Sequence, residues 1–183
     1  MNPLTHSSDD RCESEADEYR NWLQSVFDRY HRPLMAYAWR LLDGNAESAR
    51  DCVQDTFLAL CQQPRSAVDG HFDAWLFKSC RNRAMDHHRR EKRMHQYTQS
   101  IVVETSSESS IDPPSQAIRN EEHELVEHQI QQLPVREQEL LALRLSHGMS
   151  YKQIAEITGL TTSNVGFLLH QALVRLKSAI ATD

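Results

Sequence analysis

The sequence predicts an all-α protein of two small helical domains joined by a flexible linker, the C-terminal one a helix-turn-helix. Three observations carry this. Apolar residues recur at helical spacing along most of the chain, which holds only five Gly and six Pro in 183 residues. A polar stretch containing Thr105-Ser106-Ser107-Glu108-Ser109-Ser110 and Asp112-Pro113-Pro114-Ser115 has too little apolar content to bury. Residues 133–180 carry the punctuation of two short helices around a tight turn.

Taken in order, residues 1–17 read as an acidic disordered leader, and residues 1–20 hold six acids against Arg11 and Arg20. A helical domain follows over 18–95. Tyr19 to Leu42 places Trp22, Leu23, Val26, Phe27, Tyr30, Leu34, Tyr37, Ala38 and Leu41 at helical spacing, interrupted near Pro33, which can open a new turn. Asp43-Gly44-Asn45 is a turn. Glu47 to Gln62 is a second helix, with Val53, Phe57, Leu60 and Cys61 on one face and Asp51, Gln54, Asp55 and Leu58 turned elsewhere. After a break over Pro64 to Gly70, a third helix runs from His71 to about Arg93, apolar at Phe72, Trp75, Leu76 and Phe77 and then strongly basic.

The polar, acidic linker spans 96–115, and the second domain 116–183. Within that domain Ser150 and Gln153 have the spacing of a capping box, and Ile154, Ala155 and Ile157 give the helix an apolar face. Gly159 supplies the left-handed residue of a sharp helix end. Thr161 and Thr162 can cap the next helix, whose Val165, Leu169, Ala172, Leu173, Leu176 and Ile180 keep helical spacing. This geometry lays a second helix in a DNA major groove.

Composition narrows the function. No apolar run approaches the roughly 18 residues of a membrane span, and the N-terminus lacks the basic and apolar parts of a secretory signal. A cytoplasmic protein without membrane insertion is expected. Cys12, Cys52, Cys61 and Cys80 form no C-x-x-C pair, and Cys52 and Cys61 read as small buried thiols. His123 and His128 are five apart, one off the spacing that puts two imidazoles on one helix face, so no metal and no cofactor are expected. A Gly-rich phosphate loop, nucleophile elbow and HExxH are all missing, which argues against an enzyme and leaves no catalytic residue to name.

The net charge of −6 conceals a strongly basic segment. Lys78, Arg81, Arg83, Arg89, Arg90, Lys92 and Arg93 stand against Asp86 and Glu91 within residues 78–93, whereas residues 98–132 set seven acids against Arg119. Cations ramped along one helix neutralise phosphates and release counterions, and aromatic residues beside them can stack on unpaired bases. For Trp75 the reading as a core residue competes with stacking and is preferred. Asp51, Gln54 and Asp55 form a carboxylate and amide patch that cannot bind phosphate, and composition alone makes it a solvated face.

Together these stretches resemble the extracytoplasmic-function (ECF) sigma factors of bacterial RNA polymerase. Asp51-Cys-Val-Gln-Asp-Thr-Phe resembles the acidic/Gln helix of sigma factors. Phe72 to Arg90, with Trp75-Leu76, Asn82, Asp86 and Arg89-Arg90, resembles the promoter-melting helix that follows it. Leu133-Pro134, Arg136 to Leu145, Gly148-Met149-Ser150-Tyr151, Ile154-Ala155-Glu156 and Gly159 to Leu176 resemble the C-terminal helix-turn-helix region. The resemblance covers roughly residues 19–95 and 117–180, and the combination is specific where no single motif is.

It implies a factor that directs core polymerase to specific promoters and melts them, a monomer when free. Asp51, Gln54 and Asp55 become contacts to core RNA polymerase (its β and β′ subunits). Lys78, Arg81, Asn82, Arg83, Asp86, Arg89, Arg90 and Arg93 become contacts to the −10 element. Thr162, Ser163, Asn164, Phe167, His170, Gln171 and Arg175 become the −35 set. An anti-sigma factor is the implied regulatory partner. The chain departs from the family where Gly166-Phe167-Leu168 and Gln171 replace the usual basic and small polar residues. Phe167 can meet a thymine methyl, or Phe167 and Leu168 can pack against protein. A stand-alone helix-turn-helix regulator is the alternative, but it leaves the Asp51 helix and the basic helix without purpose.

Overall fold

The computed structural model describes residues 9–65, 70–98 and 121–180. Every regular element among them is helical, in the order α1 (Asp9–Leu41), α2 (Ala46–Cys61), α3 (Phe72–Thr98), α4 (Glu121–Gln131), α5 (Val135–Leu141), a π-helical turn (Ala142–Ser146), α6 (Tyr151–Thr158) and α7 (Thr162–Ile180). The all-α expectation holds.

Helix α1 begins at Asp9, inside the stretch expected to be a disordered leader to residue 17. Acidic residues that read as a solvating leader are also those that suit the positive end of a helix. Residues 1–8 and 99–120 lie outside the described residues, so the linker expected over 96–115 does too, apart from its first three residues, which continue α3 to Thr98. Pro33 does not divide α1, which is continuous over 33 residues. Its missing N–H removes one backbone bond, but the buried Val26, Leu34, Tyr37, Ala38 and Leu41 anchor both sides of it.

Helices α1, α2 and α3 pack pairwise into the first unit. Leu34, Leu60, Leu76 and Phe77 are fully or almost fully buried between them, each contributing about 1.5–3 kcal/mol. The α1–α2 corner uses Asp43 at φ 52° and Gly44 at φ 85°, and a side chain at Gly44 would approach the Trp39 ring. Asn45 then caps α2 by accepting the Ser48 N–H at 3.0 Å. Tyr30 donates to Asp73, tying α1 to the start of α3. Burial and that hydrogen bond push the Tyr30 phenol up to about 12. Cys52 and Cys80 are buried, and burial pushes the Cys80 thiol up to about 12, which leaves it protonated and inert. Cys61 is exposed, contrary to expectation, because it ends α2 one residue beyond the last core position, Leu60.

In the second unit α7 lies against α4, α5 and α6. Its buried Val165, Leu169, Ala172 and Leu176 close over Leu140, Leu143, Ile154 and Ile157. The punctuation is as the sequence predicts. The Ser150 hydroxyl accepts the Gln153 N–H while the Gln153 side chain accepts the Ser150 N–H. Gly159 ends α6 at φ 73°, its N–H bonded to the Ala155 carbonyl. Thr161 caps α7 by accepting the Asn164 N–H.

The two units are packed against each other. Helix α3 lies along α6, and the Phe77 ring meets the His147 ring at a centroid distance of 4.5 Å. Buried Tyr37 of α1 donates to Glu139 of α5 at 2.8 Å, and Arg81 of α3 donates to the same carboxylate oxygen at 2.7 Å. Burial, then Glu139, hold the Tyr37 phenol well above its ordinary pKa, so it stays a donor. The expectation of two domains on a tether omitted this interface.

Candidate protein and nucleic-acid interfaces

Helix α2 separates its faces cleanly. Ala49, Cys52, Val53, Thr56 and Leu60 point into the core, and Asp51, Gln54 and Asp55 are exposed. Leu58 lies one turn beyond Gln54 and is 53% exposed. The four residues follow an i, i+3, i+4, i+7 pattern and make one stripe, two carboxylates and an amide ending in an apolar tip. The sequence placed Leu58 outside the core without assigning it a role. Its position on the stripe is the signal that it belongs there.

On α3 the basic set divides. Asn82, Asp86, Arg89, Arg90 and Arg93 are exposed, and Asn82, Asp86, Arg89 and Arg93 recur along one face at helical spacing. Arg89 pairs with Asp86 at 3.3 Å, a solvent-exposed contact that water and salt weaken. Arg83 is half-buried and folds back on its own helix, donating to the Ser79 hydroxyl at 2.7 Å and the Ser79 carbonyl at 3.1 Å. Lys78 and Arg81 turn toward the second unit, Lys78 to Glu156 at 3.6 Å and Arg81 to Glu139 at 2.7 Å. Phe72 and Trp75 are half-buried against the core, and Phe72 packs on Trp22 and Tyr30.

At the start of α7, Thr162, Ser163, Asn164, Phe167 and His170 are exposed and Gln171 is half-buried. Phe167 is 60% exposed, whereas Leu168 is half-buried and packs against the core. Gly166 lies beside the Tyr151 ring, at a distance where a side-chain carbon would make an ordinary contact. Arg175 stands apart from the rest of the set. It pairs with Glu137 of α5, a carboxylate buried within the same unit. The sequence offered no signal for that pairing, since the residues lie 38 apart.

Among the described residues no group of His, Cys, Asp and Glu is arranged to hold a metal ion, and no helix is long and apolar enough to cross a membrane.

The two units correspond to two known domain families. Residues 26–94 match Sigma-70 region 2, and residues 123–176 match Sigma-70 region 4. The chain is 28% identical over 163 residues to the RNA polymerase sigma factor YlaC of Bacillus subtilis, covering 87% of this chain and 92% of that protein. It is 30% identical over 167 residues to the ECF RNA polymerase sigma factor SigD of Mycobacterium tuberculosis, covering 88% of this chain and 78% of SigD. Its fold is similar to that of the sigma factor RpoE from Bartonella quintana, solved with the anti-sigma factor NepR. The TM-score is 0.64 at 22% identity, over 91% of this chain and 98% of RpoE. With region 2 followed by region 4 and a relative at this identity along most of its length, the chain belongs to the ECF family of bacterial RNA polymerase sigma factors.

Proposed function

We propose that Asp51, Gln54, Asp55 and Leu58 dock this sigma factor on core RNA polymerase, and that the exposed row on α3 holds the melted −10 strand. The observation that carries this reading is the placement of the two surfaces. An acidic and amide stripe on α2 and a cationic surface on α3 occupy one three-helix unit, joined by a shared core. The acidic stripe repels phosphate, so it suits a protein surface. Arg89 and Arg93 on that row, with exposed Arg90 beside it, attract phosphate. Docking supplies the affinity and orients α3. Melting costs about 1.4 kcal/mol per base-pair step, which phosphate contacts and captured bases offset.

In the same reading Thr162, Ser163, Asn164, Phe167, His170 and Gln171 meet the −35 element, which their exposure or half-exposure at the start of α7 supports. Asn164 and Gln171 are suited to adenine edges, and Phe167 to a thymine methyl. Arg175, held by Glu137, supports this helix from behind. The protein works in the cytoplasm as a non-catalytic monomer until it meets polymerase, and it is held in check by an anti-sigma factor, as RpoE of Bartonella quintana is solved with NepR. Domain limits at 18–95 and 116–183 bracket the two matched regions.

Run-off transcription with purified core polymerase on a pool of promoter fragments tests the reading. Specific transcripts should appear with the wild-type chain and vanish with Asp51→Ala plus Gln54→Ala, both exposed substitutions that leave the core intact. DNA binding without any transcript would instead indicate a regulator that works without polymerase.

A further inference from the structure

The front of α7 is a surface without charge. From Thr162 to Val174 the helix holds no Lys, Arg, Asp or Glu. Of its two cations, Arg175 is engaged by Glu137 on α5, and Lys177 falls in the last turn. Val165, Leu169, Ala172 and Leu176 face the core, which leaves Ser163, Phe167, His170 and Val174 along the opposite side, all exposed. Proteins commonly grip DNA by neutralising phosphates and releasing their counterions, and this face has no Lys or Arg with which to do so. What it contributes to promoter choice must then come from base edges.

Phe167 is the largest group on that side and is 60% exposed. Gly166 before it has no side chain, and Leu168 after it packs on the core, so of the three the Phe167 ring alone projects outward. The register of the helix fixes its place. Thr161 accepts the Asn164 N–H at 3.2 Å, and Val165 and Leu169 are buried. The ring therefore stands in the second turn of α7, within the N-terminal part that a helix-turn-helix presents to base edges. In the major groove thymine offers a methyl group. Cytosine offers an amino donor there, guanine two acceptors, and adenine an acceptor and a donor. A phenyl ring can neither donate nor accept a conventional hydrogen bond. Pressed on any of those three bases it strips water from polar atoms and returns nothing, whereas against the methyl group both surfaces leave water.

We propose that Phe167 is a specificity-determining residue of this sigma factor, selecting one thymine of the −35 element by its methyl group and rejecting the other three bases at that position. This rests on the assignment of α7 to the −35 element and deepens it, naming the atom that is read and the bases that are refused. Rejection matters as much as attraction, because discrimination is a difference between affinities and a desolvated amino or carbonyl group enlarges it. Since the ring is uncharged, the preference for the methyl group is independent of salt, unlike the phosphate contacts of α3.

The test uses holoenzyme assembled from the full chain and core polymerase. Fragments that it binds are selected from a randomised pool, and the enriched upstream element is rebuilt with each thymine replaced in turn by deoxyuridine, which lacks only the methyl group. At one position the replacement should weaken binding by the wild type about fourfold, the worth of one buried methyl-sized group. Cytosine at that position should weaken it further. The fourfold step should be the same at low and at high salt, and it should vanish in Phe167→Ala holoenzyme. The deoxyuridine series uses the unaltered protein, so the result does not hang on whether a variant folds. Circular dichroism checks that Phe167→Ala keeps its helices. An enriched upstream element without thymine, a wild type indifferent to every deoxyuridine, or a step that persists in Phe167→Ala would each overturn the proposal. So would a folded Phe167→Ala that loses affinity equally for every template, which would transfer the ring to a protein contact. If selection enriches no upstream element at all, the assignment of α7 to the −35 element has failed. If it enriches one that is indifferent to the methyl group, the proposal for Phe167 alone has failed.

Discussion

Arg175 reaches from the far half of α7 to Glu137 on α5, and this ion pair fastens the recognition helix to the body of its own domain. One oxygen of Glu137 takes the guanidinium, and the other is buried with no hydrogen-bond partner among the described residues. Among those residues the carboxylate depends on Arg175 alone. A basic residue on the helix proposed to read DNA serves here as a strut.

Arg175→Ala should accordingly destabilise region 4 by about 1–3 kcal/mol, the cost of a buried acceptor left unmet. Removing both partners, as Glu137→Leu with Arg175→Leu, should recover much of that loss because no charge stays buried. Thermal unfolding of the single and double variants checks this. A loss in Arg175→Ala confined to DNA affinity, with an unchanged midpoint, would return the residue to the −35 set.

Arg89 and Arg90 are exposed on α3 and should act through phosphates. Replacing both with Ala should flatten the dependence of log affinity on log salt by about 1.4 for single-stranded DNA, roughly 0.7 for each phosphate no longer neutralised. Titrations of a −10 oligonucleotide at several salt concentrations give the slope. The same slope in the variant would mean that neither arginine meets a phosphate.

Gly159→Ala isolates a backbone effect. The residue sits at φ 73° with nothing within 4 Å of where a side chain would begin, so crowding is not at issue. The left-handed conformation should cost about 1–2 kcal/mol. Gly159→Asn should cost less, since Asn tolerates this region by local hydrogen bonding. Chemical denaturation of the three proteins ranks them.

His147 gives the stability of the folded chain a dependence on pH. Burial, and then the nearby Arg40 charge, lower its pKa below the ordinary 6.5. Above that value both folded and unfolded chains hold it neutral, and it contributes nothing to the pH dependence. As pH falls below about 6.5 the unfolded chain takes up a proton that the folded chain resists, so stability falls until the depressed pKa is passed. Unfolding free energies between pH 5 and 8 should show this acidic limb, and His147→Phe should flatten it.

Much of this was legible in the chain because it is written in local chemistry. Ser150 with Gln153, Gly159, and the stripe of Asp51, Gln54 and Asp55 depend on neighbours within a turn or two. The missed features depend on distant ones. Glu139 meets Arg81 at a separation of 58 residues and Tyr37 at 102, and in sequence it reads as a solvated charge in an amphipathic helix. Arg175 reads in sequence as a contact to the −35 element, and its pairing with Glu137 is invisible there for the same reason. Cys61 has the apolar spacing of the α2 core, and only the end of the helix leaves it outside. Pro33 looked like a boundary because propensity favours one, but tertiary packing on both sides outweighed one lost backbone bond.

Helix α5 is only seven residues long, yet Glu137 and Glu139 make it answer to two neighbours in different directions. Each residue advances the helix by about 100°, so acids two apart face well away from each other. A substitution at either position disturbs one attachment. Inserting or deleting a single residue ahead of Glu137 would swing both carboxylates by that angle and lose both attachments together. Across related chains α5 should therefore vary in composition far more freely than in length.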